Sequence, residues 1–342
     1  MPAGALANQS QTLTAQRLAA TLVSMPQRGL LLLVPLLAGA PPVVAQPAPM
    51  HAPPSPANPY SNGCATLLHK GELARALRNC NEAISVDPKH AIAYYNRGRV
   101  HAAKEEHDLA IADYSRAVGL NSRFAWAYGN RGVSYFYKGE LDEAIADHSK
   151  AIEIDPRLAV AYRNRGEILN IKKEYDRAIV DLDKAISLNP KFAFAYYDLA
   201  VAYRHKKDHD RAIENLSTAI ALMPRLSAAY RDRASALVEK AEFKRAIADY
   251  TKAIELEPKM ATLYSDRART YLKAGRPAQG LPDAERSLHL RPDDANSLNA
   301  RGSILEALGR REEAIADFRR ALDINPSLQG SRDGLNRLGA GQ

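Results

Sequence analysis

The chain has 342 residues, 46% of them hydrophobic and 25% charged, and a formal charge of +8, of which Arg17 and Arg28 lie in the leader described next. That composition fits a soluble globular protein rather than a disordered one. No run of five or more like charges occurs and no basic region is interleaved with stacking aromatics, so nothing points to nucleic acid, and the positive balance reads as a mixed solvated surface.

Residues 1–45 contain no Asp or Glu. Arg28 precedes an apolar run, Gly29 to Ala38 (GLLLLVPLLA), and Val43, Val44 and Ala45 then offer small residues before Gln46. A positive start, a short apolar core and a small-residue cleavage site predict a secretory signal peptide over residues 1–45. The part before the core is long, and Met25 is an alternative start. The core is short and interrupted by Pro35, whereas a membrane span needs about 20 apolar residues. The expectation is therefore export, to a bacterial periplasm, with no stable membrane span after cleavage. The alternative is an uncleaved leader anchored in the inner membrane. Residues 46–56 are rich in proline, which favours an extended polyproline segment and predicts a spacer.

From residue 57 the chain is periodic. Pro88, Pro156, Pro190, Pro224, Pro258, Pro292 and Pro326 fall on a 34-residue period, with Ser122 in the one vacant slot. A fixed period of this size marks a stacked repeat array, which grows by stacking rather than by adding cores. One unit, Ala125 to Pro156, reads as helix, tight turn, helix and stop. Eight units start at Ala57, Ala91, Ala125, Ala159, Ala193, Ser227, Ala261 and Ala295. Each opens with a large residue (Tyr60, Tyr94, Tyr128, Tyr162, Tyr196, Tyr230, Tyr264, Leu298), followed four positions later by a small one (Cys64, Gly98, Gly132, Gly166, Ala200, Ala234, Ala268, Gly302). Two further small columns run along the second helix from Ala76 and Ala83. Small residues at helical spacing let helix axes approach, and the larger side chains between them fill the gaps.

These columns, held over eight copies, resemble the tetratricopeptide repeat family across residues 57–328. The resemblance implies an all-α, right-handed superhelical α-solenoid of about eight helix-turn-helix repeats. It also implies a concave groove lined by the first helix of each repeat, and about one superhelical turn in all. The chain departs from the family in one column. Where Leu usually precedes the small residue, it has Arg97, Arg131, Arg165, Arg233, Arg267 and Arg301. Sixteen residues after each stands an Asp: Asp113, Asp147, Asp181, Asp249, Asp283 and Asp317. The two repeats that lack the Arg lack the Asp as well, Gly63 going with Asn79 and Leu199 with Asn215. This covariation predicts an ion pair clipping the two helices of each repeat together; an arginine ladder for an anionic ligand is the alternative.

Repeat one has the chain's only cysteines, Cys64 and Cys80, again sixteen residues apart. An even count in an exported chain predicts a disulfide staple, against two buried free thiols. Repeat seven holds Pro277, Gly280 and Pro282 around the start of its second helix, which predicts a shortened or displaced helix there. Residues 329–342 are expected to form a short capping helix and tail.

No phosphate-binding glycine loop, HExxH, GxSxG or CxxC is present, so the expectation is a non-enzymatic protein without cofactor or metal. His205, Asp208, His209 and Asp210 have metal-like spacing but fall across a turn, and His101 and His107 read likewise as surface residues. The remaining candidate is the groove. Two positions after the Tyr column stand Asn62, Asn96, Asn130 and Asn164, then Asp198, Asp232 and Asp266. In peptide-binding members of the family, Asn at this column hydrogen-bonds the ligand backbone, which an amide can do as donor and acceptor. Tyr95, Trp126, Phe136, Phe194 and Tyr197 accompany them, with Arg99, Arg163, Arg204, Arg231 and Arg269. The expected site is Asn96, Asn130, Asn164, Asp198, Asp232, Tyr95, Trp126, Arg163 and Tyr197. The competing reading is that neighbouring repeats cover these aromatics and that Asn and Asp make only local bonds near the helix starts. The leading expectation is a scaffold that binds another protein or an extended peptide. A self-associating structural module and a glycan-binding envelope protein are the alternatives.

Overall fold

The computed structural model describes residues 59–341. The leader and spacer expected over residues 1–56 lie outside them. Among the described residues there are seventeen helices and no strand, an all-α repeat solenoid. The chain divides at Asn164–Arg165, inside one helix, into two compact units.

The first unit holds α1 (Pro59–His69), α2 (Leu73–Val86), α3 (Ala91–Ala103), α4 (His107–Leu120), α5 (Ala125–Tyr137), α6 (Leu141–Ile154) and the start of α7 (Ala159–Ile171). The second holds the rest of α7, then α8 (Tyr175–Leu188), α9 (Ala193–His205), α10 (His209–Leu222), α11 (Ser227–Glu239) and α12 (Phe243–Leu256). It continues through α13 (Ala261–Lys273), α14 (Pro277–Leu290), α15 (Ala295–Ala307), α16 (Arg311–Ile324) and α17 (Gln329–Arg337). Within each unit every helix packs on the next, and first helices also touch the first helix that follows, as α3 touches α5 and α13 touches α15.

Local chemistry sets each stop. The first helix of a repeat ends on a residue in the left-handed region: Gly71, Gly139, Gly275 and Gly309, but also Glu105, Lys173, Lys207 and Ala241, with φ between 58° and 63°. The next amide then reaches back to close the helix, as Glu140 N–H bonds the Tyr135 carbonyl at 2.9 Å while Gly139 N–H bonds that of Phe136. At the other end of the repeat an Asx turn forms. Asp87, Asn121, Asp155 and Asn325 accept from the amide two residues on, at 2.9 to 3.1 Å. The Tyr column helps to fix this corner, since Tyr264 Oη donates to the Pro258 carbonyl at 3.0 Å.

The small columns are core. Ala76, Ala110, Ala144, Ala178, Ala212, Ala246 and Ala314 are fully buried, as are their partners one heptad on. A Cβ built on Gly98 would lie 2.8 Å from the Tyr114 ring, and one on Gly302 equally close to Phe318.

Repeat seven corrects an expectation. Its second helix, α14, has the same fourteen residues as its counterparts and starts in register at Pro277, with Pro282 inside it. Two effects explain this. Pro277 takes the first helical position, where its missing N–H costs nothing. Pro282 then forfeits a single backbone bond near the helix start, while Gly280, Ala284, Ser287 and Leu288 are buried and lock the helix into the stack.

The Arg–Asp pairs form in all six repeats. Each arginine donates through Nε and Nη2 to the two carboxylate oxygens at 2.7 to 2.8 Å: Arg97–Asp113, Arg131–Asp147, Arg165–Asp181, Arg233–Asp249, Arg267–Asp283 and Arg301–Asp317. The aspartates are buried and the arginines partly so. The side chain does more than close its own repeat. Nη1 donates backward to the second helix of the preceding repeat: Arg97 to Asn81, Arg131 to Ser115, Arg233 to Ser217 and Arg267 to Thr251, at 2.8 to 3.0 Å. Ser217 and Thr251 donate their own hydroxyl to the carbonyl four residues back, which leaves lone pairs for the guanidinium. The guanidinium also lies over the Tyr three residues earlier, 5.4 to 5.8 Å from the ring centre for Arg97, Arg131 and Arg233. Where Arg is missing in repeat one, Asn79 fills the space, and a Cβ on Gly63 would meet its Nδ2 at 2.5 Å.

Cys64 and Cys80 are joined by a disulfide across α1 and α2, with a Cα separation of 5.2 Å. Both are fully buried, and Leu67, Leu68, Leu73 and Leu77 pack around them with Val100.

Candidate functional site: the first-helix face

In the first unit, the polar column of the first helices is tied across repeats. Asn130 Nδ2 on α5 donates to Tyr95 Oη on α3 at 3.0 Å. Tyr95 packs its ring 4.7 Å from that of Phe124 and 6.0 Å from that of Tyr114, and Arg99 lies over it at 5.6 Å. Burial raises the Tyr95 hydroxyl pKa, while Arg99 and the bond from Asn130 pull the other way. Asn96 is buried in α3. Arg163 and Asn164, adjacent on α7, are both buried, and Arg163 Nη1 donates to Asn164 Oδ1 at 3.3 Å. Trp126 sits elsewhere, in an apolar cluster with Ala151, Leu158 and Ala161.

The second unit repeats the device with charge. Tyr197 Oη on α9 donates to Asp232 Oδ2 on α11 at 2.9 Å. Arg231 Nε donates to the other oxygen, Oδ1, at 3.0 Å. On α13, Arg269 pairs with Asp266 at 3.4 Å. Burial favours the neutral Asp232 carboxyl, but Arg231 and Arg204 outweigh it and hold its pKa below the ordinary value. Asp266 goes the other way, because burial there exceeds the pull of Arg269 and Arg231. Burial, with Asp232 beside it, pushes the Tyr197 hydroxyl well up, so it stays a donor. Asp198 is buried, and its backbone carbonyl accepts from Asn170 Nδ2 at 2.8 Å.

The structure thus brings Tyr95 with Asn130, and Tyr197 with Asp232, each pair 35 residues apart. These bonds hold successive first helices in register, so the face they line is pre-organised. Asn170 belongs to this face too and is not evident from the Asn and Asp column. The signal is present in its spacing, since it stands 34 residues before Arg204, at the same position of the preceding repeat. His205 stacks on Tyr175 and His107 on Tyr137, and no group of three His, Cys, Asp or Glu among the described residues is arranged to hold a metal. No described helix is long and apolar enough to cross a membrane.

Models of the tetratricopeptide repeat match residues 66–123, 125–158, 159–192, 182–214, 228–260 and 265–328. No curated protein sequence matches the chain. Among solved structures, the Cut9–Hcn1 hetero-tetramer of the APC/C aligns with a TM-score of 0.58 at 19% identity, over 82% of this chain and 55% of that one. This chain therefore spans little more than half of that relative. The pilF protein of Pseudomonas aeruginosa aligns with a TM-score of 0.55 at 17% identity, over 62% of this chain and 97% of that one. At these identities both show the fold alone.

Proposed function

The chain belongs to the tetratricopeptide repeat family, and from that premise we propose that it is a protein-interaction scaffold whose first-helix face holds an extended peptide or a helix of another protein. The observation that carries this reading is the set of cross-repeat bonds, Tyr95–Asn130 and Tyr197–Asp232. They fix aromatic, amide and guanidinium groups before any ligand arrives, which lowers the ordering cost of binding. Aromatic residues and arginine are also the usual anchors of recognition surfaces.

Photo-crosslinking tests the face. Arg269→p-benzoylphenylalanine places the probe on α13, where the side chain is exposed; Val180→p-benzoylphenylalanine places it on the second helix α8, where Val180 is 68% exposed. In native extract, the probe at 269 is expected to give a discrete adduct and the probe at 180 none. An adduct from 180 alone would move the interaction to the second helices.

We further propose that the protein works outside the cytoplasm, in a bacterial periplasm. The leader pattern of residues 1–45 supports this, as does the disulfide, since such bonds persist in oxidising compartments. The mature protein recovered from a periplasmic extract is expected to begin at Gln46. Recovery of an intact leader from the membrane fraction would favour the anchored form instead.

A further inference from the structure

Among the described residues, seven of the eight repeats carry a cross-link between their two helices, six an Arg–Asp clip and the first a disulfide. Repeat five, α9 with α10, has neither. Leu199 is buried at the clip position and offers no donor, and Asn215 turns its Nδ2 back to the Arg211 carbonyl of its own helix at 2.8 Å. The backward arm is missing as well. On α8, Asp183 stands where Asn81, Ser115, Ser217 and Thr251 receive Nη1 of the next repeat. It makes no ion pair within 4.0 Å among the described residues and feels the more distant charge of Arg211.

The clips therefore stop on either side of α9. Upstream, Arg165 locks α8 to α7 through Asp181. Downstream, Arg233 joins α11 to α12 through Asp249 and to α10 through Ser217, and Arg267 joins α13 to α14 through Asp283 and to α12 through Thr251. Between these blocks, α9 is held on its first-helix face, where Asn170 of α7 donates to the Asp198 carbonyl at 2.8 Å and Tyr197 donates to Asp232 of α11 at 2.9 Å. It is held again at its turn end, where His205 stacks on Tyr175 of α8, Lys206 pairs with Asp176, and Arg211 of α10 lies over Tyr203 at 4.4 Å. In mid-helix its buried side chains are Leu199, Ala200 and Ala202. Apolar contact has no preferred direction, whereas a bidentate ion pair fixes one geometry.

We propose that repeat five is a bending joint: α10 to α14 move as one clipped block against α7 and α8, with α9 as the pin and its first-helix-face bonds as the axis. The opening lies on the second-helix side, between α8 and α10. Such a joint lets the array change its curvature at one place while the bonds of Asn170 and Tyr197 keep the first helices in register. It is a property of the array and does not depend on where a partner binds.

Two measurements on the full chain test it. Spin labels on Lys184→Cys and Lys252→Cys, in α8 and α12, span the joint; labels on Thr218→Cys and Arg286→Cys, in α10 and α14, span the same length of chain inside the clipped block. The distance distribution of the first pair is expected to be the broader. In unlabelled protein, hydrogen exchange of residues 193–222 should be at least about fivefold faster than that of residues 227–256, the step set by one missing polar tie. Leu199→Arg with Asn215→Asp supplies the absent clip, and Asp183 is in place to receive its third arm. This double variant should narrow the first distribution to the width of the second and slow exchange in α9 and α10, with the second pair unchanged. Equal widths in the parent would overturn the proposal, whether or not the double variant folds. A first distribution that stays broad once the clip is restored would overturn it too, because the looseness would then have another origin.

Discussion

Arg233→Leu is expected to lose about 3 kcal/mol of stability, read as a fall in the urea midpoint followed by circular dichroism. The variant leaves Asp249 buried without its cation, and takes from Ser217 on the preceding repeat the bond it accepts from Nη1. Breaking a buried pair from one side costs about 3–5 kcal/mol, and the partial exposure of Arg233 puts this case at the low end. Asp249→Asn, added to Arg233→Leu, should recover all but about 1 kcal/mol, because removing both charges leaves no buried ion to satisfy. The chain contains that solution already. In repeat five Leu199 is buried, and Asn215 turns its Nδ2 to the Arg211 carbonyl. If single and double variants unfold alike, the clip sets geometry without contributing stability. The lesion should also divide the array, because Arg233 joins two repeats and stability in a stacked array is passed between neighbours.

Reducing the Cys64–Cys80 bond is expected to open repeat one and little else. In the chain-entropy description, closing a loop of about 15 residues stabilises by about 3 kcal/mol. Repeat one has no Arg–Asp clip to take over, so hydrogen exchange of α1 and α2 should rise by about two orders of magnitude on reduction. Exchange of α11 to α16 should not change. Cys64→Ala with Cys80→Ala should reproduce the effect without reductant. Unchanged exchange in residues 59–86 would mean that the leucines around the bond hold the repeat by themselves.

The 34-residue period made the helices legible, because each repeat writes its own start, turn and stop in local chemistry. The ion pairs were legible for a different reason. Their loss in two repeats is matched, Gly63 with Asn79 and Leu199 with Asn215, and matched loss reports contact. What stayed hidden was the third arm of the same arginine. Asn81, Ser115, Ser217 and Thr251 are ordinary helix-surface residues in a linear reading, and only the stacking places them under Nη1 of the next repeat. The bonds from Tyr95 to Asn130 and from Tyr197 to Asp232 were hidden likewise, since a spacing of 35 has meaning only once successive helices lie side by side. Pro282 was misjudged because propensity was weighed without the packing that opposes it. One missing backbone bond near a helix start is small beside the buried column of α14.

The last helix has an evolutionary consequence. On α17, Gly334 lies against Phe318, where a Cβ would come within 2.4 Å of the ring, and Ser331 Oγ donates to Asn299 at 3.0 Å. Arg337 grips Glu306 with two bonds at 2.7 Å. A new repeat appended after Pro326 would have to offer that same glycine, serine and arginine or leave Phe318 and Glu306 uncovered. A unit duplicated in the interior meets no such demand, because its Arg, Asp and hydroxyl find copies of their own partners on either side. Duplication of an interior unit is therefore the less disruptive way for this array to lengthen.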